Sequence, residues 1–363
     1  MTSSHDLTNE HGLREYLETK QSGIGNIQFL SGGTANYVYR VIKHDGSKSI
    51  FKHAAPYLYT NKSFALDPTR MNYEAHVLEK FSSSASPFPA SLEGSNVHAV
   101  RLLEYNKESK LLEIEDGGSR NLKDAYTDKN LDIPHIGKEL AIWLAALHTY
   151  SQDMSLQLPD QAPGINNNPI AVDIYRYSYR NLHTALSQFD HDPQLAHRID
   201  DEFGSLLATE DECVCHGDFW PGNVLVHITE DKPAEMTIVD WEIVRRGTSA
   251  TDVGQFAAEA FLVDRFRGGR GLLAAFLHSY ITAWAHSGVL GKTWLRRMVV
   301  HWAVHVAFWP TRVEWADWEG TKQLVDIGVT VLQDVVSDDW EKVLKSPLLE
   351  EVRDVYAALL AEP

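Results

Sequence analysis

His216-Gly217-Asp218-Phe219-Trp220-Pro221-Gly222-Asn223 sets a carboxylate and a carboxamide at the two ends of a short Gly/Pro-bearing stretch. Further on, Asp240 ends the apolar run Ile238-Val239. A carboxylate to orient a hydroxyl, with an amide and a second carboxylate as hard oxygen ligands for Mg²⁺, is the set that phosphoryl transfer needs. Asp218 is the candidate base, and Asn223 and Asp240 are the candidate metal ligands. His216 reads as a brace for the loop, without proton chemistry of its own. An H-G-D turn alone says little, but H-x-D-x-x-x-x-N followed by a strand-terminal Asp is a far more specific pattern.

Such a centre must be served by elements that hold triphosphate charge opposite it. Ile27-Gln28-Phe29-Leu30 leads into Ser31-Gly32-Gly33-Thr34-Ala35-Asn36, and Tyr37-Val38-Tyr39-Arg40-Val41-Ile42-Lys43 is rich in β-branched and aromatic residues. Asp45-Gly46 marks a hairpin turn before the return strand Ser49-Ile50-Phe51-Lys52-His53-Ala54. The glycine-bearing loop lets backbone N–H groups approach phosphate oxygens, so Gly32, Gly33, Thr34 and Asn36 are candidate nucleotide contacts. Lys52 would add positive charge there. Asp67-Pro68 signals a helix start, with Asp67 as the cap. Met71, Glu74, Leu78 and Phe81 then fall on one helical face. Glu74 therefore points inward and needs a partner, with Lys52 the natural one and Arg70 the alternative.

Residues 98–105 and 111–115 read as a further hairpin, and Gly117-Gly118 breaks the pattern. Beyond it the chain is mainly helical: Leu140, Trp143, Leu144 and Leu147 form an apolar stripe, and helices are expected near 171–189, 195–208, 251–266, 271–287, 292–309 and 320–336. Asp252 reads as a cap at the start of one of these. Cys213 and Cys215 alternate with Val214 in a buried strand before the loop. His301 and His305 are spaced for one helix face, but Trp302 replaces the glutamate of a zinc protease motif, so packing is the reading. The fold class is α+β in two lobes: a β-rich lobe over 1–116 carrying the phosphate loop, and a helical lobe over 117–363 carrying the catalytic loop, metal site and substrate cleft.

Composition narrows the function classes. The net charge of −17 argues against a nucleic-acid partner and suits a cationic small substrate as well as plain solubility. No run long enough to span a bilayer and no apolar leader is visible, so the expected compartment is the cytoplasm.

His216 to Asn223 with Ile238-Val239-Asp240-Trp241-Glu242 resembles the aminoglycoside phosphotransferase and choline kinase superfamily, which has a protein-kinase-like fold. Residues 30–41 and 51–57 are similar to its methylthioribose kinase branch, and these segments with 305–309 also resemble the hydroxytryptamine kinase of psilocybin biosynthesis. The resemblance spans about residues 23–320 in one order. It implies ATP and Mg²⁺ as cofactors, Asp218 as base, Asn223 and Asp240 as metal ligands, and Lys52 with Glu74 as the phosphate-anchoring pair. It also implies that the segment Ile114-Glu115-Asp116-Gly117 reads adenine through backbone groups, chiefly at Glu115 and Gly117, with Phe51, Ile114 and Val239 as walls. The arginine pair of a methylthioribose kinase has two candidate positions, Arg245-Arg246 and Arg296-Arg297.

The reading is a small-molecule kinase acting on a hydroxyl of an amino alcohol, hydroxyindole or thioriboside, as a monomer or homodimer. Trp220, Glu242, Trp309 and Trp315 are the candidate acceptor walls, since aromatics plus a carboxylate suit an amine. An antibiotic phosphotransferase and a nucleotide-binding pseudokinase scaffold are the alternatives.

Overall fold

Tyr37–Lys43 (β2) and Lys48–His53 (β3) pair antiparallel about the Asp45-Gly46 turn, with Val38 opposite Lys52. In the computed structural model they form the middle of a sheet ordered β1-β2-β3-β8-β7, with β1 at Ile24–Phe29, β7 at Leu102–Asn106 and β8 at Leu111–Glu115. The structure describes residues 5–360 except 32, 84–87, 89–91, 93, 163, 230–232 and 286–287.

Side chains alternate across this sheet, so each face can carry a different layer. Tyr39, Val41 and Phe51 cluster with Leu13 and Leu17 of helix α1 (Glu10–Glu18) on one face. Ile50, Leu112 and Ile114 join Met71, Leu78 and Phe81 of α2 (Arg70–Ser82) in the main core on the other. Helix α2 starts later than Asp67-Pro68 predicts. The Asp67 carboxylate accepts from the N–H and hydroxyl of Thr69 at 2.8 and 2.7 Å, closing a turn before the helix instead of capping it. A short hairpin of β4 (Tyr57–Leu58) and β5 (Asn61–Ala65) lies beside the phosphate loop, where Tyr59 N–H donates to Ala35 O and Thr60 N–H to Thr34 O.

The strand expected over 98–105 is two strands on two sheets. β6 (Val97–Ala99) pairs in parallel with β11 (Glu235–Ile238), which itself pairs with β10 (Val224–His227). The switch occurs at Val100, whose N–H donates to Ile238 O at 2.9 Å and so cannot continue the first ladder. This pairing ties chain from before residue 117 to the strands that flank the catalytic loop.

The remainder is helical: α3 (Leu122–Ala125), α4 (Ile133–Tyr150), α5 (Pro169–Tyr175), α6 (Tyr177–Gln188), α7 (Pro193–Ile199), α8 (Ser249–Arg267), α9 (Leu272–Trp284), α10 (Lys292–Phe308), α11 (Trp318–Val336), α12 (Trp340–Val343) and α13 (Arg353–Ala358). The expected single helix over 171–189 is interrupted at Arg176, which pairs with Asp200 at 2.8 Å. Strand β9 (Cys213–Cys215) is wholly buried, as its alternation implied, and pairs with β12 (Arg245–Gly247). Helix α8 is buried continuously from Ser249 to Val263, so over that stretch it is a central column, and only its last turn reaches solvent. Its polar residues Asp252, Gln255 and Glu259 are all buried and must find partners inside. No helix among the described residues is long and apolar enough to cross a membrane.

Candidate active site

Strand β9 delivers the chain into the loop that carries Asp218. Gly217 adopts φ 82°, and a Cβ there would sit 2.1 Å from Ile243 O, so only glycine fits the turn. The buried His216 bridges two strand ends: its Nε2–H donates to Val239 O at 3.0 Å and its Nδ1 accepts from Asp218 N–H at 3.1 Å. This assignment of the ring proton follows from the two partners. Burial holds the imidazole pKa below its ordinary value, consistent with a neutral brace.

Asp252 does not cap α8; the cap is Thr248, whose hydroxyl accepts from Ala250 N–H. Asp252 lies one turn inside, fully buried, and accepts from the N–H groups of His216 (2.7 Å) and Gly217 (3.1 Å). Its Oδ2 also meets His148 Nε2 at 3.3 Å. A carboxylate thus clamps the catalytic loop to the central helix.

Asp218 takes one hydrogen bond on each oxygen: Gln255 Nε2–H donates to Oδ1 at 2.7 Å and Asn223 Nδ2–H to Oδ2 at 2.9 Å. Burial, then repulsion from Asp240, push its carboxyl up to about 7, against the pull of these two donors. Gln255 was missed in the sequence. Its spacing from Asp252 on α8 was the available signal.

Asp240 sits at φ 67°, an uncommon conformation for a non-glycine residue, and is paired with Lys52. Lys52 also contacts Glu74 at 2.8 Å and Glu242 at 3.7 Å. Glu74 is fully buried, as its place on the α2 stripe implied, and Lys52 is its partner. Burial alone would disfavour the ammonium, but the three carboxylates hold Lys52 charged. Burial likewise works against Asp240, and Lys52 more than offsets it, keeping that carboxyl below its ordinary range. For Glu74 burial wins, and its carboxyl rises to about 7.

The donor set fits a divalent hard cation. Asn223 spends its Nδ2 on Asp218, which leaves Oδ1 for a ligand, and Asp240 spends Oδ1 on Lys52, which leaves Oδ2. Glu74, Asp240 and Glu242 bring oxygens within 4.8 Å of one another. Three carboxylates facing Lys52 and Arg70 leave excess negative charge that such a cation would neutralise.

Glu242 does not wall the acceptor cleft. It is buried under the phosphate loop, where its Oε2 accepts from Asn36 Nδ2 at 2.6 Å and from Arg70 Nε at 3.0 Å. Arg70 Nη2 donates in turn to Asn36 Oδ1 at 2.7 Å. A fully buried guanidinium at the start of α2 requires a carboxylate, and Glu242 supplies it. The Asn36 side chain therefore fastens the loop from below. Gly32 lies outside the described residues. Gly33 has open space around it, and Thr34 O accepts from Thr60.

At the expected hinge, the Glu115 carboxylate is held by Arg101 Nε (2.6 Å) and His98, and its N–H donates to Arg101 O. Gly117 packs so closely on Thr237 that a Cβ would come within 2.9 Å of its side chain. Phe51 cannot wall the cleft: neighbouring strand residues face opposite ways, so with Lys52 turned inward Phe51 joins the α1 side of the sheet. Ile50, on the face of Lys52, lies in the main core with Ile114, against which Val239 packs.

On the other side of Asp218, Trp220 and Trp315 converge on the ammonium of Lys123, at 5.2 and 4.2 Å from the ring centroids. Trp309 lies beside His305, whose Nε2 meets Glu259 at 2.7 Å. Lys123, Glu259 and this role of His305 were not foreseen. His301 stacks on Tyr175, the packing role expected of it. Arg245 and Arg246 are buried in β12, and Arg297 is buried against Glu210, so these three arginines serve the interior. Arg296 packs over the Phe203 ring.

The sequence profile of the phosphotransferase enzyme family matches residues 26–291. The 4-hydroxytryptamine kinases of Psilocybe cubensis and Psilocybe cyanescens are each 25% identical to this chain, over 95% of it and 98% of their own length. Among the solved structures that share the fold are the following two. The amicoumacin kinase hAmiN, in complex with AMP-PNP, Ca²⁺ and Ami, has a TM-score of 0.53 at 11% identity, covering 93% of this chain and 96% of its own. The Plasmodium vivax ethanolamine kinase has a TM-score of 0.52 at 13% identity, covering 92% and 95%.

Proposed function

Because the chain belongs to the phosphotransferase enzyme family, we propose that it is a kinase that moves the γ-phosphoryl group of ATP to a hydroxyl of a small metabolite. The observation that carries this is Asp218, a half-buried carboxyl pushed to about 7 and oriented by Gln255 and Asn223, with Lys52 and Asp240 joined nearby. Asp218 Oδ1 or Oδ2 takes the hydroxyl proton while the acceptor oxygen bonds to phosphorus and the bond to the β,γ-bridging oxygen breaks, giving ADP and a phosphate monoester. Lys52, oriented by Glu74, meets the phosphates from the sheet side. Asn223 Oδ1 and Asp240 Oδ2 would hold Mg²⁺, which neutralises charge on the phosphates when bound. Gly33 and Thr34 would approach the phosphates through the backbone, and the 115–117 segment would face adenine.

The roles of 4-hydroxytryptamine kinase relatives support an amine-bearing alcohol or hydroxyindole as acceptor. The test is phosphorylation of a panel of amino alcohols, hydroxyindoles and thioribosides with ATP and Mg²⁺, read by mass shift. Asp218→Asn should lower kcat by about 10²–10⁴ while leaving nucleotide binding in place. Retained turnover in that variant would sink the assignment, as would an absence of ADP formation with every acceptor. We place the protein in the cytoplasm, which cell fractionation checks.

A further inference from the structure

Trp220 follows Asp218 closely in the catalytic loop, and its ring is laid down over Gly222, where a Cβ would come within 2.2 Å of it. Trp315 approaches from the segment before α11. Between the two rings lies the ammonium of Lys123, 5.2 Å from one centroid and 4.2 Å from the other. Lys123 stands on α3, which Asn121 caps by accepting from Asp124 N–H at 2.8 Å, so the cap fixes its backbone.

A half-buried lysine ordinarily ends on a carboxylate or a carbonyl. Among the described residues Lys123 ends on neither: its contacts are the two rings, and the nearby Asp124 goes to Arg267 at 3.7 Å. The Arg267 guanidinium also lies 5.9 Å from the Trp315 ring, so a second cation crowds the same indole. Burial disfavours the Lys123 ammonium, Glu259 favours it, Arg267 opposes it, and Asp124, though no hydrogen-bond partner of the ammonium, also favours it. Glu259 also acts on Asp218. A positive charge in this slot is therefore within the field of a carboxylate that reaches the proposed base. Rings hold a cation through their faces, with no directional bond to break. A flexible four-carbon stem can leave such a place readily.

We propose that the slot between Trp220 and Trp315 is a cation subsite of the acceptor cleft, and that Lys123 is its resident occupant, displaced by the ammonium group of an amine-bearing acceptor. The inference rests on the kinase reading above for the word acceptor, but the slot and its occupant can be tested without turnover. Lys123 then acts as an internal competitor. Neutral alcohols leave it in place, and only a ligand that brings its own positive charge exchanges with it without leaving the two indoles facing an empty site.

The experiment uses the full chain without nucleotide and tetramethylammonium as the probe, with tert-butanol as the neutral control, followed by saturation-transfer NMR. Lys123→Met should tighten tetramethylammonium binding by about tenfold or more and leave tert-butanol unchanged, because the cage loses its competitor. Trp315→Ala in the Lys123→Met background should reverse the gain. Lys123→Gln is the second variant, and melting curves establish that each chain is folded. In the unsubstituted protein, ¹³C-dimethylated Lys123 should show an upfield ring-current shift that added tetramethylammonium relieves. Unchanged or weaker binding in the folded variants, or a Lys123 resonance that ignores the probe, overturns the proposal. In turnover, Lys123→Met should lower KM for amine acceptors relative to their deaminated counterparts. If it raises that KM instead, Lys123 is a ligand of the acceptor and the inference fails while the kinase reading stands. If the cage binds tetramethylammonium but no acceptor is phosphorylated, the kinase reading fails and the cage stands.

Discussion

At the residue scale, the proposed chemistry turns on how Asp218 is kept both basic and oriented. Its carboxyl titrates near 7 because burial and Asp240 outweigh the donors Gln255 and Asn223. As a base it must be unprotonated, so kcat/KM for the acceptor should fall toward low pH. Gln255 stabilises the charged form, so Gln255→Leu should move that fall to higher pH, and an unmoved profile would deny Gln255 its part. The same shift has a stability sign. The folded state holds the Asp218 proton more tightly than the unfolded chain does, where the ordinary value is 3.8. This group's contribution therefore declines as pH rises from about 4 through about 7. Asp218→Asn should melt higher than the unsubstituted protein at pH 8, with the difference vanishing below about pH 4.

At the scale of elements, two sets of buried polar groups fasten the pieces of chain around the site. Helix α8 holds the catalytic loop through Asp252, which takes the His216 and Gly217 amides. Gly217→Ala should displace that loop: the left-handed conformation costs about 1–2 kcal/mol and the Cβ would meet Ile243 O at 2.1 Å. Activity should be lost together with several degrees of melting temperature. The second fastening is Asn36, Arg70 and Glu242, which joins the phosphate loop to α2 and to the segment after Asp240. Glu242→Gln should cost about 3–5 kcal/mol in urea unfolding, because it leaves a buried guanidinium without its charge partner, and should raise KM for ATP. Replacing Arg70 by Met in the same chain should recover part of the loss, since no orphaned charge then remains.

At the scale of the whole molecule, the proposed nucleotide and metal contacts come from both sides of a cleft: Lys52 from the sheet, and Asn223 and Asp240 from the loops below it. A ligand that binds only the folded chain stabilises it in proportion to its occupancy. A non-hydrolysable ATP analogue with Mg²⁺ should therefore raise the melting temperature more than either alone, and Asp240→Asn should abolish the extra rise. Equal rises with and without the metal would mean that the carboxylates do not share one ion with the phosphates.

Much of the site was legible in the chain because its signals are local. His216, Asp218 and Asn223 lie in one loop whose spacing is set by the chemistry, and Glu74 betrays itself as a charge on an apolar helical face. The β2–β3 hairpin follows from its turn and its β-branched residues. Phe51 could have been read correctly too, since the alternation that aims Lys52 inward aims its neighbour outward. Other assignments depended on residues far apart in sequence. Whether Asp252 caps its own helix or clamps a distant loop, and whether Glu242 faces an acceptor or Arg70, are choices among partners that only packing brings together. The split of 98–105 into two strands is likewise settled by Ile238, remote in sequence. The sequence by itself determined the proposed catalytic set, because side-chain type and short spacing suffice to define it. The tertiary structure alone decided which buried charges meet and what stands between Trp220 and Trp315, because a buried charge takes its partner from whatever the fold sets beside it.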